Sequence, residues 1–340
     1  MKGKPVMKYD PGVILIFASV LACCFGAAES GFAEQPQPNI LVILADDLGY
    51  GDLGCYGNVH NDTPHLDRLA REGMRLTDFH SNGPMCSPTR AALLLGRYQH
   101  RIGIESAIST RGEQGLPEGE QTLAEALRAA GYATAVFGKW HLGKRPEFLP
   151  TRHGFDEFRG LLCGCGDYRS HIDRNGNPDW WRGWKDISSN GLCRGQKGQL
   201  YEGGHRLPAL FWWPGRIKPG STIDETAMTM DLFPTCLELA GLELPPSDSR
   251  DALDGVSLSP LLLENKPLPE RTLFWRMRGQ KAVRRGPWKL VVQPDGKAEL
   301  YNLADDLGET RNLAAKHAEV VDRLLDELAC WEALVKRKTD

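Results

Sequence analysis

The stretch NILVILA at 39–45, apolar from Ile40 onward, constrains this chain's fold more than any other feature. An apolar run without alternation suits a strand covered on both faces, as in the middle of a parallel sheet. It stops at Asp46-Asp47 and passes into Leu48-Gly49-Tyr50-Gly51. A helix is expected next, with Thr63 as N-cap, Pro64 at the first position, Leu66, Leu69 and Ala70 on one face and Gly73 as the stop. Residues 74–79 read as a short strand, and Ser87 and Pro88 as N-cap and first residue of a helix through Leu95. The grammar then repeats. Thr122 and Glu125 form a capping box, Leu123 and Leu127 a buried face, Gly131 an end, and YATAVF at 132–137 a strand that delivers GKWHLG. This alternation predicts an α/β fold, a wound mixed sheet flanked by helices. Chemistry in such sheets collects beyond the carboxyl ends of the strands. Asp46, Asp47, Lys139 and His141 all fall there.

Residues 145–200, rich in Gly, Asp, Asn, Arg and Trp, read as loop, followed by a strand at 208–213 and a helix from about 231 to 240. After the Pro-rich stretch 244–268, strands at 272–277, 280–285, 288–293 and 298–302, with a Pro-Asp-Gly turn at 294–296, predict a smaller antiparallel sheet. A closing helix carries Val320, Val321, Leu324, Leu325, Leu328 and Trp331 as a core stripe. The expected organisation is a signal peptide at 1–33, a catalytic domain at 34–264 and a C-terminal α+β subdomain at 265–340.

The 340 residues are 41% hydrophobic and 25% charged, a globular balance, and the net charge of −3 gives no footprint for nucleic acid. Lys2, Lys4 and Lys8 precede an apolar run from Val13 to Ala28, short for a membrane span and ordinary for a signal peptide. Cleavage after Ala28 or Ala33 suits it, whereas Leu21-Ala22 makes a poor lipobox for Cys23. Export to the periplasm or the extracellular space is the expectation. Of nine cysteines, two lie in that leader. The C-G-C at 163–165 is not a zinc pattern, and unpaired thiols are expected for all but Cys86.

Taken singly, the polar residues are ambiguous. Asp46-Asp47 would suit a hard divalent cation, but an isolated pair is a solvated turn or cap by roughly three to one. Cys86 at a helix mouth reads equally as an activated thiol or a structural cysteine, with Arg90 one turn on to hold an anion there. Lys139 offers a fixed charge and His141 a proton shuttle, on the same side of an extended segment with Trp140 opposite. Lys197, flanked by glycine in GQKGQLYEGG, reaches an anion or simply solvent.

Together, in order, they resemble one family. Cys86-Ser87-Pro88-Thr89-Arg90 matches the C-x-P-x-R signature of the formylglycine-dependent sulfatases. So do PNILVILADDLGYGDLGCYG at 38–57, GRYQHRIGI at 96–104, GKWHLG at 138–143 and HGFDEF at 153–158. KGQLYEGGHRLPALFWWPGRIKPG at 197–220 and the AVRRGPWKL and ELYNLADDLGET segments within 282–310 complete the series. The resemblance implies that a formylglycine-generating enzyme oxidises Cys86 to formylglycine. Its hydrate attacks sulfur through one hydroxyl and later expels sulfate through the other. It further implies that Asp46, Asp47, the modified Cys86 and Asn190 bind Ca²⁺, with Mg²⁺ as the alternative, and that Arg90 holds the formylglycine hydroxyl. His141 takes its proton, and Lys139 and Lys197 neutralise sulfate oxygens. The implied substrate is a sulfate ester, an aryl sulfate or a sulfated glycan.

One departure matters. Between HGFDEF and Lys197 the family carries a long segment with a leaving-group histidine, a further strand and an Asp-Asn-Gly of the metal site. Here only a short interval, 158–197, joins the two sides. Ser189 replaces the aspartate of that motif before Asn190-Gly191, and Asp186 or His171 are the candidates for recruitment in its place. Two rivals follow: a phosphonate or phosphodiester hydrolase of the same superfamily, and a degenerate homologue that binds sulfated glycans, or nothing, without turnover.

Overall fold

The computed structural model describes residues 37–109, 113–164 and 189–336. The segment read as a signal peptide, together with Cys165, His171 and Asp186, lies outside them. Two units are present, one ending at Asn39, of which the described 37–39 are irregular, and a body from Ile40 onward. Among the described residues no helix is long and apolar enough to cross a membrane.

The body is mixed α/β. Helices α1 (Pro64–Glu72), α2 (Cys86–Leu95) and α3 (Leu123–Ala129) accompany strands β1 (Met74–His80), β2 (Ala135–Lys139) and β3 (Glu157–Leu161). The short α4 (Glu202–His205) leads into β4 (Arg206–Phe211), β5 (Ser221–Ile223) and β6 (Ala227–Met228), then α5 (Leu232–Leu239) and α6 (Ser259–Glu264). Strands β7 (Thr272–Met277), β8 (Gln280–Arg285), β9 (Trp288–Val292) and β10 (Ala298–Asn302) form an antiparallel meander, closed by α7 (Ala318–Val335). In the mixed sheet β1 pairs antiparallel with β4 and parallel with β5 and β6. β2 and β3 form a separate parallel pair.

The capping box forms as its spacing predicts: Glu125 N–H donates to Thr122 Oγ1 at 3.1 Å, and Thr122 N–H to Glu125 Oε2 at 2.8 Å. Elsewhere local chemistry is redirected. Thr63 precedes α1 as expected, but its hydroxyl is spent on Gly54 N–H and Asp67 instead of capping the helix. Helix α2 begins at Cys86 with Met85 as N-cap, so Ser87 is not the cap and Pro88 is the third residue. The stripe on α7 is buried at Val320, Leu324, Leu328, Trp331 and Val335, while Leu325 is exposed.

The strand expected at 39–45 does not form. Leu41 and Ile43 are 83% and 80% exposed, and Phe137 on β2 is 65% exposed. The physical reason is that an apolar run becomes a strand only by hydrogen bonding to a neighbour and being covered on its faces. Among the described residues nothing pairs with this run, and β2 pairs with β3 alone.

Helix α2 has a different fate. Ala92 joins the large core made by the meander, α7, Tyr98, Leu200, Met228 and Met230. Ala91 and Leu95 join a second core with Ile102, Ile104, Leu116, Trp140 and Leu142. Wedged between two cores, α2 fixes its amino end in space. Among the described residues no cysteine forms a disulfide. Burial pushes the thiols of Cys193 and Cys236 up to about 12, which leaves them inert near neutral pH.

Candidate active site

Cys86 is the first residue of α2, where free N–H groups and the helix dipole favour an anion. The turn before it is tied by Thr89, whose single hydroxyl proton is shared between Gly83 O at 2.8 Å and Met85 O at 2.9 Å. Beyond the carboxyl end of β2, Lys139 Nζ lies 3.3 Å from Cys86 Sγ and 2.8 Å from Asp46 Oδ2. Arg90 donates to the Lys139 carbonyl and, at 3.2 Å, to Asp46 Oδ1. Lys197 Nζ lies 2.6 Å from Asp47 Oδ2, and Gly198 N–H donates to Pro84 O at 3.0 Å, which ties the lysine loop to the turn before Cys86. Six residues singled out in the sequence, Asp46, Asp47, Cys86, Arg90, Lys139 and Lys197, therefore meet in one place. Burial alone would raise the Asp46 pKa. The hydrogen bond and charge of Lys139, with Arg90 and Lys197, hold it below the usual carboxylate range.

His141 comes to the same neighbourhood by a different route. It follows β2 in a left-handed conformation, φ 54°, and is 6% exposed. Trp140 faces the core, its indole N–H donating to Phe148 O at 2.9 Å, and the left-handed turn at His141 breaks the extended segment expected there. The His141 Nε2 lies 3.0 Å from Ile108 O, an acceptor only, so Nε2 carries the proton. Nδ1 is then a bare lone pair, buried and without a partner among the described residues. Burial, then the positive charge of Lys139, pushes the imidazole down to about 4, which keeps it neutral near pH 7. Gly164 is pressed against the ring, since a Cβ there would sit 2.3 Å from Cε1.

The paired acids are presented by a turn that Asp52 organises. Its carboxylate accepts from Gly49 N–H at 2.6 Å and Ser189 N–H at 2.5 Å. Gly51 N–H donates to Ser189 O at 2.8 Å, and a Cβ at Gly51 would lie 2.7 Å from Gly191 N, so only glycine admits this loop so close. Asn190 sits on that loop and donates its side-chain N–H to Gly195 O at 2.9 Å, which leaves Oδ1 as the atom it can offer a cation.

The donor set suits a hard divalent cation. Ligand atoms of Asp46, Asp47 and Cys86 all lie within 4.8 Å of one another. An ion about 2.3–2.6 Å from each of its oxygens keeps them about that close. A second group of the same compactness, His80, Glu202 and His205, does not suit a metal. Lys289 Nζ already sits 2.9 Å from Glu202 Oε1 and 3.1 Å from His205 Nε2. Arg206 and Arg284 bind Asp78 and approach Glu202 around it. With Glu309, the cluster holds three acids and three fixed cations, and another cation there would be repelled.

Two features escaped sequence reading. One is the hydroxyl of Ser87, which donates to His141 O at 2.7 Å and accepts from Ile108 N–H at 3.0 Å. The other is the buried network around Lys289. Its only trace in the sequence is a lysine inside the apolar strand WKLVV.

Comparison with known proteins agrees with this geometry. The family model described as Sulfatase matches residues 38–187, and that described as N-sulphoglucosamine sulphohydrolase, C-terminal, matches 195–333. Arylsulfatase A of Bos taurus is 32% identical over 460 aligned positions, covering 91% of this chain and 89% of that protein. N-acetylgalactosamine-6-sulfatase of Sus scrofa is 31% identical, covering 75% and 72%. In the first alignment 91% of 340 residues fills about 310 of the 460 positions, so about 150 belong to the relative alone. Among solved structures, Ps i-CgsB in complex with k-i-k-neocarrahexaose superposes with a TM-score of 0.79 at 22% identity over 87% of this chain and 92% of that one. PsFucS1 sulfatase from Pseudoalteromonas sp. gives 0.73 at 22% identity over 89% and 92%, so both share the fold. With arylsulfatase A matched over nine-tenths of its length and the polar cluster assembled around Cys86, the chain belongs to the sulfatase family of sulfuric ester hydrolases.

Proposed function

We propose that this chain cleaves sulfate monoesters, aryl sulfates or sulfated glycans, at a formylglycine generated from Cys86 by a formylglycine-generating enzyme. The single observation that carries the proposal is the set of three cations, Lys139, Lys197 and Arg90, converging with Asp46 and Asp47 on the first residue of α2. A thiol kept for packing has no need of such surroundings. Asp46, Asp47 and position 86, with Asn190 Oδ1 as a further donor, would hold Ca²⁺, or Mg²⁺ in its place. When bound, the cation withdraws charge from the sulfate oxygens and favours nucleophilic attack at sulfur.

The chain's own side chains perform the rest. Lys139 reaches Sγ, and the same ammonium would meet a sulfate oxygen there. Lys197, tied to Asp47, would supply a second ammonium to the same anion. Arg90 anchors the end of β2 and the Asp46 carboxylate together, and would orient the hydroxyl at position 86. His141, neutral, with Nε2–H tied to Ile108 O, offers Nδ1 as proton acceptor. The amino-terminal leader makes export part of the same reading.

The open apolar run at 40–44 and the alignment positions without counterpart here favour a reduced turnover. The segment expected to carry the leaving-group acid is short, and loss of a general acid typically costs 10²–10⁴-fold. The test is coexpression with a formylglycine-generating enzyme, mass spectrometry of the Cys86 peptide, and parallel assays on aryl sulfate and phosphate diesters. Conversion of Cys86 with sulfate release above background supports the proposal. An untouched thiol overturns the formylglycine assignment, and faster phosphodiester cleavage overturns the substrate class. Full conversion with no turnover on any ester overturns the hydrolase reading in favour of a degenerate homologue.

A further inference from the structure

We infer that Ser87 is a positioning residue for His141: its hydroxyl closes a three-bond ring that fixes both the backbone and the tautomer of that histidine. The inference rests on the proposed role of His141 as proton acceptor. Ser87 Oγ donates to His141 O at 2.7 Å, Ile108 N–H donates to Ser87 Oγ at 3.0 Å, and His141 Nε2–H donates to Ile108 O at 3.0 Å. Ser87 is fully buried, and Ile108 and His141 are each 6% exposed, so no solvent competes for these bonds.

The ring acts on a residue that needs holding. A non-glycine residue at φ 54° is disfavoured and persists only where its surroundings over-determine it. The neighbours of His141 are pinned on both sides. Trp140 N–H donates to Leu161 O at 2.7 Å, and Leu142 O accepts from Leu116 N–H at 2.8 Å. The carbonyl of His141 itself is held by Ser87. Loss of that hydroxyl would strand a buried carbonyl and the Ile108 N–H, and free Ile108 O to drift from the imidazole. The ring would then sample the tautomer that protonates Nδ1, the atom that must stay bare. Ser87 is placed for this because Met85, not Ser87, caps α2, which leaves its hydroxyl for the ring. The same residue sits inside the motif that carries Cys86, so the helix start and the histidine keep a fixed spacing.

The test needs no turnover. Long-range ¹H–¹⁵N spectra of the ¹⁵N-histidine-labelled protein report each imidazole's tautomer, and His141→Gln identifies the signal among the nine histidines. In the wild-type protein His141 is expected as a single Nε2–H tautomer at pH 7. Ser87→Ala should raise the Nδ1–H population about fivefold, the change that one neutral hydrogen bond carries. Thr89→Ala is the control: it removes the hydroxyl shared by Gly83 O and Met85 O at the same helix start but no bond to His141, and should leave the signal unmoved. A wild-type Nδ1–H tautomer, an unchanged signal in Ser87→Ala, or equal changes in both variants would each overturn the inference. Should Ser87→Ala not fold, Ser87→Cys, a weaker donor of similar size, carries the same comparison. Because activity is not read, a failure of the hydrolase proposal would leave this result intact.

Discussion

Replacing Lys289 by methionine is the sharpest probe of what joins the mixed sheet to the meander. Lys289 on β9 is fully buried, 2.9 Å from Glu202 Oε1, 2.9 Å from Glu309 Oε1 and 3.1 Å from His205 Nε2. Methionine keeps the length and removes the charge, leaving three buried acids against Arg206 and Arg284. Removing one partner of a buried ion pair typically costs about 3–5 kcal/mol, against about 5–15 kcal/mol for an ordinary domain's whole stability. The pH dependence carries the signature. Lys289 requires an acceptor at His205 Nε2, so His205 holds its proton on Nδ1, which faces His80 Nδ1 at 3.0 Å. Burial, then the Lys289 charge, keeps the His205 pKa well below 6.5. The unfolded chain therefore takes up this proton near pH 6.5 while the folded chain does not. Wild-type stability is complete above that pH and falls below it by about 1.4 kcal/mol per pH unit from His205 alone. In Lys289→Met the repulsion is gone and Glu202 remains, so the folded pKa of His205 rises and the imidazolium substitutes for the lost ammonium. The variant then gains stability as pH drops through that raised value. Urea midpoints from pH 8 to 5.5 should show a gap that is widest at pH 8 and narrows by about 1.4 kcal/mol or more at pH 5.5. A gap independent of pH, or one under about 1 kcal/mol at pH 8, would refute the reasoning.

Three further outcomes follow from the same structure. Leu41→Lys with Ile43→Glu should change stability by no more than about 0.5 kcal/mol per site, because both side chains already face water. In a covered strand each burial would be worth about 1.5–3 kcal/mol, so a large fall in the urea midpoint would place the run in a core after all. Ca²⁺ at about a hundredfold its Kd should stabilise the folded chain by about 2.7 kcal/mol in thermal melts, and Asp47→Asn should remove most of that gain. A wild-type melt indifferent to Ca²⁺ and Mg²⁺ counts against the ligand set. Thr122→Ala should cost about 1–2 kcal/mol in chemical denaturation, since its hydroxyl both caps α3 and donates to His153 O at 2.8 Å.

What was legible in the sequence is what local chemistry decides. The capping box of α3, the four strands of the meander and the stripe of α7 stand within a residue or two of where spacing puts them. The site residues were legible because Cys86 opens α2 and Lys139 ends β2, and because the motifs around them follow, with those of Asp46, Asp47 and Lys197, the order of one family. The run at 40–45 was not. Its apolarity states what the segment would bury given partners, and partners are a property of the whole sheet. Lys289 was silent in the sequence: α4 and the Glu309 turn, distant along the chain, cover its face of β9 and turn it into a buried ion pair. Ser87 failed for a subtler reason: a serine beside a helix start reads as a cap, and only the three-dimensional path of residues 108 and 141 shows that its hydroxyl goes elsewhere.

The site is therefore built in two halves of unequal support. The half that carries Cys86, Arg90 and His141 hangs on α2, which two cores clamp, and on a strand end pinned from both sides. The half that carries Asp46 and Asp47 hangs on an uncovered run, and the contacts that bring these carboxylates to the thiol are ion pairs with Lys139, Arg90 and Lys197. The Asp46 and Asp47 side chains remain 46% and 56% exposed, while Lys139 and Arg90 are 11% and 13% exposed. Ion pairs with one partner in water are individually weak and screened by salt. The cationic half should thus keep its anion-binding shape whether or not the acidic half is in place. A bound cation would add most where the fold supplies least, by joining two exposed carboxylates to a fixed helix start.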